Sequence, residues 1–380
     1  MLLHHETIQR LFKIRSEIQE VYWNLTLQTF AASLIGLFIP IYLLILGSSL
    51  REMLLFTLFY YLALAGLSPL SAVLTRRSGS KHLILYRTPL FLLFYGLLAA
   101  LQLLPPSLAL LIPVALVGGF SAALYYVPLM VHFATHTKKI HEGEEAATIN
   151  ALPRLFSIAA PTLAALILAA AGFPILFAIS MAIVLVSVIP LFATGERKES
   201  FPSSPLRLGP HRRLLAQLSL KGVLLMSEAI LWPVYIFLTL GNILDVGIAV
   251  SIAAAGTGLL TILLGRLSDR MGHRRLLIKL GGLAYGTVWI ARLFSSTPLE
   301  IFLLSLLGGM FATILLEIGV FASFCDRARG KGVLFWVTAR EIMLGAGRVV
   351  LFLILFLASG QEFTAAFLTA AIASFLFLLI

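Results

Sequence analysis

The sequence predicts an all-α polytopic membrane protein of twelve transmembrane helices in two pseudo-symmetric six-helix bundles. Three observations carry that expectation. The 380 residues are 60% hydrophobic and only 12% charged, against roughly 45–50% apolar and about 25% charged in a soluble domain. Acidic and basic residues are absent from Val21 to Leu50, Met53 to Thr75, Thr88 to Thr137, Leu155 to Gly195, Val246 to Gly265 and Phe363 to Ile380. A bilayer-spanning helix needs about 20 mostly apolar residues, so several of these runs hold one span and the longest hold two. Finally, the two halves of the chain repeat one another. Too little polar surface remains to clothe a water-soluble globule, which excludes a soluble enzyme.

The spans are expected near 22–46, 53–74, 83–104, 108–131, 148–171 and 173–193, then near 214–240, 246–267, 275–296, 299–322, 333–359 and 362–380. Residues 1–193 form the first bundle, opened by an amphipathic segment; 194–213 read as a cytoplasmic linker, and 214–380 as the second bundle. Pro105-Pro106 parts spans three and four, Gly172-Phe173-Pro174 parts five and six, and Ser359-Gly360 parts eleven and twelve. Proline removes a helix donor and glycine relaxes the backbone.

The net charge of +11 is distributed by side. Alternate connections hold Arg10, Lys13, Arg15; Arg76, Arg77, Lys81; Lys138, Lys139; Arg197, Lys198, Arg207, Arg212, Arg213; Arg266, Arg270, Arg274, Arg275; and Arg327, Arg329, Lys331. The other set has only Arg51 and Arg292 as basic residues. The positive-inside rule places both termini and the basic loops in the cytoplasm, with the chain in the cytoplasmic (inner) membrane. The basic excess then reflects topology, and no nucleic acid is expected as a partner. Met1 to Glu20 lack the basic tip and apolar core of a signal peptide. The single Cys325 excludes an intramolecular disulfide.

The repeat runs in order along the chain. Phe38-Ile39-Pro40-Ile41-Tyr42 matches Leu231-Trp232-Pro233-Val234-Tyr235 at a shift of 193. Ala72 to Gly79, containing Arg76, falls on Gly265 to Gly272 at the same shift. Val117-Gly118-Gly119-Phe120 matches Leu307-Gly308-Gly309-Met310 at 190, and Arg154 matches Arg340 at 186. Six spans per half make the repeats parallel, a transporter architecture with substrate held between the halves. The loop Gly265-Arg266-Leu267-Ser268-Asp269-Arg270-Met271-Gly272-His273-Arg274-Arg275 resembles the signature loop of the major facilitator superfamily. The equivalent first-half loop departs from it, with Arg76 at the aspartate position and Ala72 at the first glycine. The resemblance implies a gating role for this motif: Asp269 pairing with Arg327 or Arg329 in a cytoplasmic clasp that includes Arg270, Arg274 and Gly79. Arg154 and Arg340 open spans five and eleven in equivalent positions and are expected as cytoplasmic-side anchors or gate partners.

An ionisable group inside a span is a functional candidate. Glu228 lies near the middle of span seven. Gln217, Lys221, Glu228 and Tyr235 fall on one helix face, and Asn24, Gln28, Ile35 and Tyr42 form the same stripe in span one. That stripe is expected to face water or substrate, and the resemblance implies the same cavity role for these helices. Glu317 shares a face of span ten with Thr313 and Met310. For Glu228 and Glu317 two readings stand: each binds and releases a proton, or each is permanently paired, Glu228 with Arg348 or Lys221 and Glu317 with Arg340. Arg87, one turn into span three, is expected to snorkel to the headgroups. Tyr126 and Trp232 are candidate substrate contacts. His132 and His136 lie one turn apart, with His141 following, but no third ligand is fixed by spacing and no metal is expected.

The chemistry points to a secondary active transporter that moves a small amphipathic or lipophilic solute by alternating access, with proton-coupled export. No Gly-x-x-x-x-Gly-Lys-Ser/Thr loop occurs, which excludes an ATP motor in this chain; no cofactor is expected. The alternatives are a lipid or lysolipid flippase and a membrane sensor. Expected partners are the small-molecule or lipid substrate, protons and membrane lipids, and the resemblance implies a monomer.

Overall fold

The computed structural model describes residues 17–104, 106–136, 144–193, 211–268, 274–321, 324, 327 and 332–379. The described residues are helical with short joints, and no strand occurs among them. In chain order the helices are α1 (Glu17–Ile35), α2 (Phe38–Ile45), α3 (Leu50–Ser78), α4 (Ser80–Ala100), α5 (Leu108–His136), α6 (Glu144–Val188), α7 (Arg212–Met226), α8 (Trp232–Leu240), α9 (Ile243–Ser268), α10 (Arg274–Arg292), α11 (Pro298–Ala312), α12 (Val333–Leu357) and α13 (Glu362–Leu376). π-Helical segments, Ser227–Leu231 and Thr313–Phe321, continue α7 and α11.

Each expected span falls on a helical stretch, and the ends have local causes. Ser49 caps α3, accepting from the Glu52 N–H while the Glu52 carboxylate accepts from the Ser49 N–H. Thr297 and Glu300 build the same box on α11, with Pro298 in the first turn. Each box satisfies two of the four free N–H groups at a helix start. Spans five and six form one helical run, α6, broken at Gly172, whose φ of 76° suits glycine. Eight stretches among the described residues are long and apolar enough to cross a bilayer, and Glu362–Leu376 is a shorter apolar one. The helices α10 and α12 carry internal charges: Lys279, Arg340, Glu341 and Arg348.

Burial runs opposite to that of a soluble protein. Leu93, Leu166, Leu353 and Ile372 are exposed, while Asn24, Gln28, Arg87, Lys221, Arg292 and Glu341 are buried. Lipid asks for apolar exteriors and internally satisfied polar groups. The chain is therefore a multi-pass integral membrane protein.

Two compact units result: Met1–Ala160 with Ala170–Ser204 and Arg329–Thr338, and Pro161–Ala169 with Pro205–Ala328 and Ala339–Ile380. Two sets of internal contacts recur in both units. In the first, the Tyr42 hydroxyl donates to the Leu98 carbonyl (2.7 Å), and its ring packs on Phe173 and Phe177 (centroids 4.6 and 5.2 Å). In the second, the Tyr235 hydroxyl donates to the Ser295 carbonyl (2.7 Å), and its ring packs on Phe363 and Phe367 (5.5 and 5.1 Å). The matched glycines are close-approach points as well. A Cβ on Gly119 would strike the Tyr60 carbonyl, and one on Gly309 the Ala253 carbonyl. Small residues let membrane helices approach to backbone contact in this way.

Candidate functional site

The second unit holds a buried ion pair. Arg292, the last residue of α10 and fully buried, grips Glu228 with both arms of its fork: Nη1 donates to Oε2 at 2.7 Å and Nη2 to Oε1 at 2.9 Å. The Tyr285 hydroxyl donates to Oε2 at 2.7 Å, and Nη2 also reaches the Leu304 carbonyl. The guanidinium lies between the Trp232 and Trp289 rings, 4.2 Å from each centroid. Bidentate geometry and cation–π contact are the two interactions that best hold a desolvated guanidinium. The pair is asymmetric: the Arg292 side chain is inaccessible, whereas 22% of the Glu228 side chain is accessible.

Local sequence builds this geometry. Pro233 has no N–H to give the turn before it, and that turn, Ser227–Leu231, is π-helical, with the Trp232 N–H reaching back to Ser227. Single π turns occur disproportionately at functional sites; this one carries Glu228. Tyr285, Trp289 and Arg292 stand at i, i+4 and i+7, one face of α10. Gly308 makes room, since a Cβ there would overlap the Arg292 guanidinium and come within 3.3 Å of Glu228 Oε1. The Trp232 indole N–H donates to Ser305 Oγ at 2.9 Å, fixing one wall.

The expected partners of Glu228 are thus corrected: it pairs with Arg292, not with Lys221 or Arg348. Lys221 is buried, gives its ammonium to the Leu316 carbonyl at 2.9 Å and lies over the Phe321 ring. That carbonyl belongs to the π segment that also carries Glu317, whose side chain lies outside the described residues. Arg340, expected opposite Glu317, is ion-paired with its neighbour Glu341 and lies over Phe324. Arg348 is buried in α12. Arg292 also leaves the sparse set of loop charges in which its position placed it, because its side chain is buried within the unit.

The polar stripes meet their own unit. Asn24 donates to the Ser187 carbonyl (2.8 Å) and Gln28 Nε2 to Ser187 Oγ (2.9 Å). Asn24, Gln28, Tyr42 and Trp232 are all buried, so burial replaces the expected open exposure. Thr313 is buried and bonds the Gly309 carbonyl; Tyr126 is 42% exposed. Arg87 departs from the expected snorkel. It is buried, donates Nη1 to Gln28 Oε1 and lies over the Phe91 and Tyr125 rings. Glu20 and Lys81 form a second buried pair at 2.7 Å, which nothing in their spacing announces.

Asp269, Arg270 and Gly272 lie outside the described residues, as does His141; Gly265, Arg154, Arg274 and His136 are helical, with side chains outside them. Arg76 is exposed, and Gly79, φ 91°, forms the joint between α3 and α4. His132 is buried. Among the described residues no group of three His, Cys, Asp or Glu could hold a metal ion.

Comparison with known proteins gives a fold. No protein-family model matches the chain, and no curated protein matches it. Solved structures do. The nucleoside transporter NupG aligns with a TM-score of 0.71 at 11% identity, over 96% of this chain and 98% of its own. A bacterial homologue of the iron transporter ferroportin, in an outward-facing state, aligns at 0.70 and 18%, over 96% and 98%. The human organic anion transporter TETRAN aligns at 0.67 and 14%, over 96% and 99%. Two of these are described as transporters and the third as a homologue of one. With its span pattern, its duplicated contacts and these neighbours, the chain has the major facilitator fold.

Proposed function

We propose that the protein is a secondary active transporter that exports a small amphipathic or lipophilic organic solute across the cytoplasmic membrane, coupled to protons. Neighbours described as a nucleoside transporter, a homologue of an iron transporter and an organic anion transporter share this fold, so the solute is chosen by side chains rather than by architecture.

The Glu228–Arg292 pair is the observation that carries this reading. Charge inside a membrane span is costly and is kept where it works. Glu228 is also the accessible member of the pair. Its paired state uses both carboxylate oxygens as acceptors. A proton converts one of them into a donor and breaks that arm of the fork, while the two tryptophans and the Leu304 carbonyl continue to hold Arg292. The pair therefore offers two discrete states, closed without the proton and open with it. Coupling requires only that rocking of bundles 1–193 and 214–380 expose Glu228 to one side at a time, as the Asp269 clasp engages and releases. In this reading both termini are cytoplasmic, the working unit is a monomer, and Glu317 is a second candidate carboxylate.

The test is solute and proton movement in proteoliposomes bearing a pH gradient, with a panel of organic solutes and lysolipids. Solute-triggered proton flux is expected from wild type and is lost in Glu228→Gln. Solute or lysolipid movement without proton flux, unchanged in Glu228→Gln, overturns the coupling and leaves a facilitator or a flippase.

A further inference from the structure

The first unit contains a cation that no described carboxylate neutralises. Arg87 lies seven residues into α4, roughly 10 Å along the helix at about 1.5 Å per residue, and is 7% exposed. Its hydrogen bond runs to the neutral amide oxygen of Gln28, and its Nε is buried without an acceptor. Gln28 is itself held in place, because its amide nitrogen donates to Ser187 Oγ, which donates in turn to the Val184 carbonyl at 2.6 Å. Glu20, the carboxylate of α1 whose side chain is described, is committed to Lys81. By contrast, Arg292 in the second unit has its carboxylate.

The surroundings of Arg87 match half of an anion site. The Phe91 and Tyr125 ring centroids lie 4.3 and 4.4 Å from the guanidinium, and the Tyr95 ring packs on Phe91 with centroids 4.3 Å apart. The Tyr125 hydroxyl is buried without a partner. Tyr126 packs edge-on against Tyr125 and is 42% exposed, so this aromatic wall continues to the surface of the unit. Cation–π contact offsets only part of what burying an ion costs. A donor-rich, acceptor-poor cation beside an unsatisfied hydroxyl is completed by an anion.

We propose that Arg87 and Tyr125 form a subsite for the acidic group of an amphipathic organic monoanion, a carboxylate or sulfonate, whose aromatic or apolar body lies along Phe91, Tyr95 and Tyr126. The subsite deepens the transport reading, on which it rests for its purpose, by naming the charge class of the solute. The first-half cation selects the acid; the second-half pair handles the proton.

Matched acid and amide probes isolate the charge: phenylbutyrate with phenylbutyramide, and naphthalenesulfonate with naphthalenesulfonamide. Binding to the purified full chain in detergent is read from ligand-dependent thermal unfolding. Wild type is expected to bind each acid about tenfold or more tighter than its amide, the worth of one charged hydrogen bond. Arg87→Gln brings the acids to amide affinity and leaves the amides unchanged. Arg87→Lys retains the charge without the fork and keeps a reduced preference for acids, which protects the test should Arg87→Gln not fold. Equal acid and amide binding in wild type, an undiminished preference in either variant, or no binding by any probe overturns the subsite. Acid-selective binding without solute transport sinks the transport reading alone, and coupled transport of a solute without acid preference sinks the subsite alone.

Discussion

Glu228 and Arg292 are each costly inside a membrane and inexpensive only together, so their variants should not be additive. Arg292→Gln leaves Glu228 without its fork, and losing one member of a buried pair costs about 3–5 kcal/mol. The double variant Glu228→Leu/Arg292→Met removes both charges and is expected to recover most of that loss in thermal unfolding in detergent. Losses that simply add would mean that the two side chains do not depend on each other. Gly308→Ala tests the same contact from the side. Its methyl group displaces the guanidinium, with an expected loss of about 1–3 kcal/mol from overpacking. Little of this was legible in the sequence. Glu228 stood out as a carboxylate in an apolar run, but Arg292 stood next to Ser295-Ser296-Thr297 and read as a loop charge. The α10 spacing of Tyr285, Trp289 and Arg292 was the available signal. Helix spacing tells which residues share a face, whereas the rotation that turns one face toward another is set by packing.

Helix boundaries were far more legible, because they are written in local chemistry. Pro298 after Thr297, Glu52 after Ser49 and the glycine at 172 each act within a turn of themselves. Ser49→Ala and Thr297→Ala are expected to cost about 1 kcal/mol each, seen as lower thermal stability with unchanged helix content. The absence of any effect would mean the capping boxes are not formed in the membrane. The π segments were not legible as such: Pro233 announces an irregularity in span seven, but nothing comparable precedes Thr313–Phe321. Both expected proton carboxylates nevertheless lie on these segments. The glycine pairs at 118–119 and 308–309 mark the repeat, and the physical reason for them is close approach to a neighbouring helix backbone at Gly119 and Gly309.

For the whole molecule, the repeat carried most of the information. Matching Tyr42 to Tyr235 locates two aromatic clusters, although nothing in the spacing marks Phe173, Phe177, Phe363 and Phe367 as their ring partners. Sidedness rests on the basic loops alone and has a direct check. In a Cys325→Ser background, Asn242→Cys is expected to react with an impermeant thiol reagent from outside intact cells, and Ser203→Cys only after the membrane is opened; the reverse pattern would invert the topology. The central claim, that Glu228 exchanges its arginine for a proton, is tested most directly by infrared difference spectroscopy of the reconstituted protein between acid and alkaline pH. The account predicts a carbonyl band from a neutral carboxylic acid at acid pH that is missing in Glu228→Gln. A wild-type spectrum without that band, or one in which the band survives Glu228→Gln, would mean that the pair is permanent and the proton is carried elsewhere or not at all.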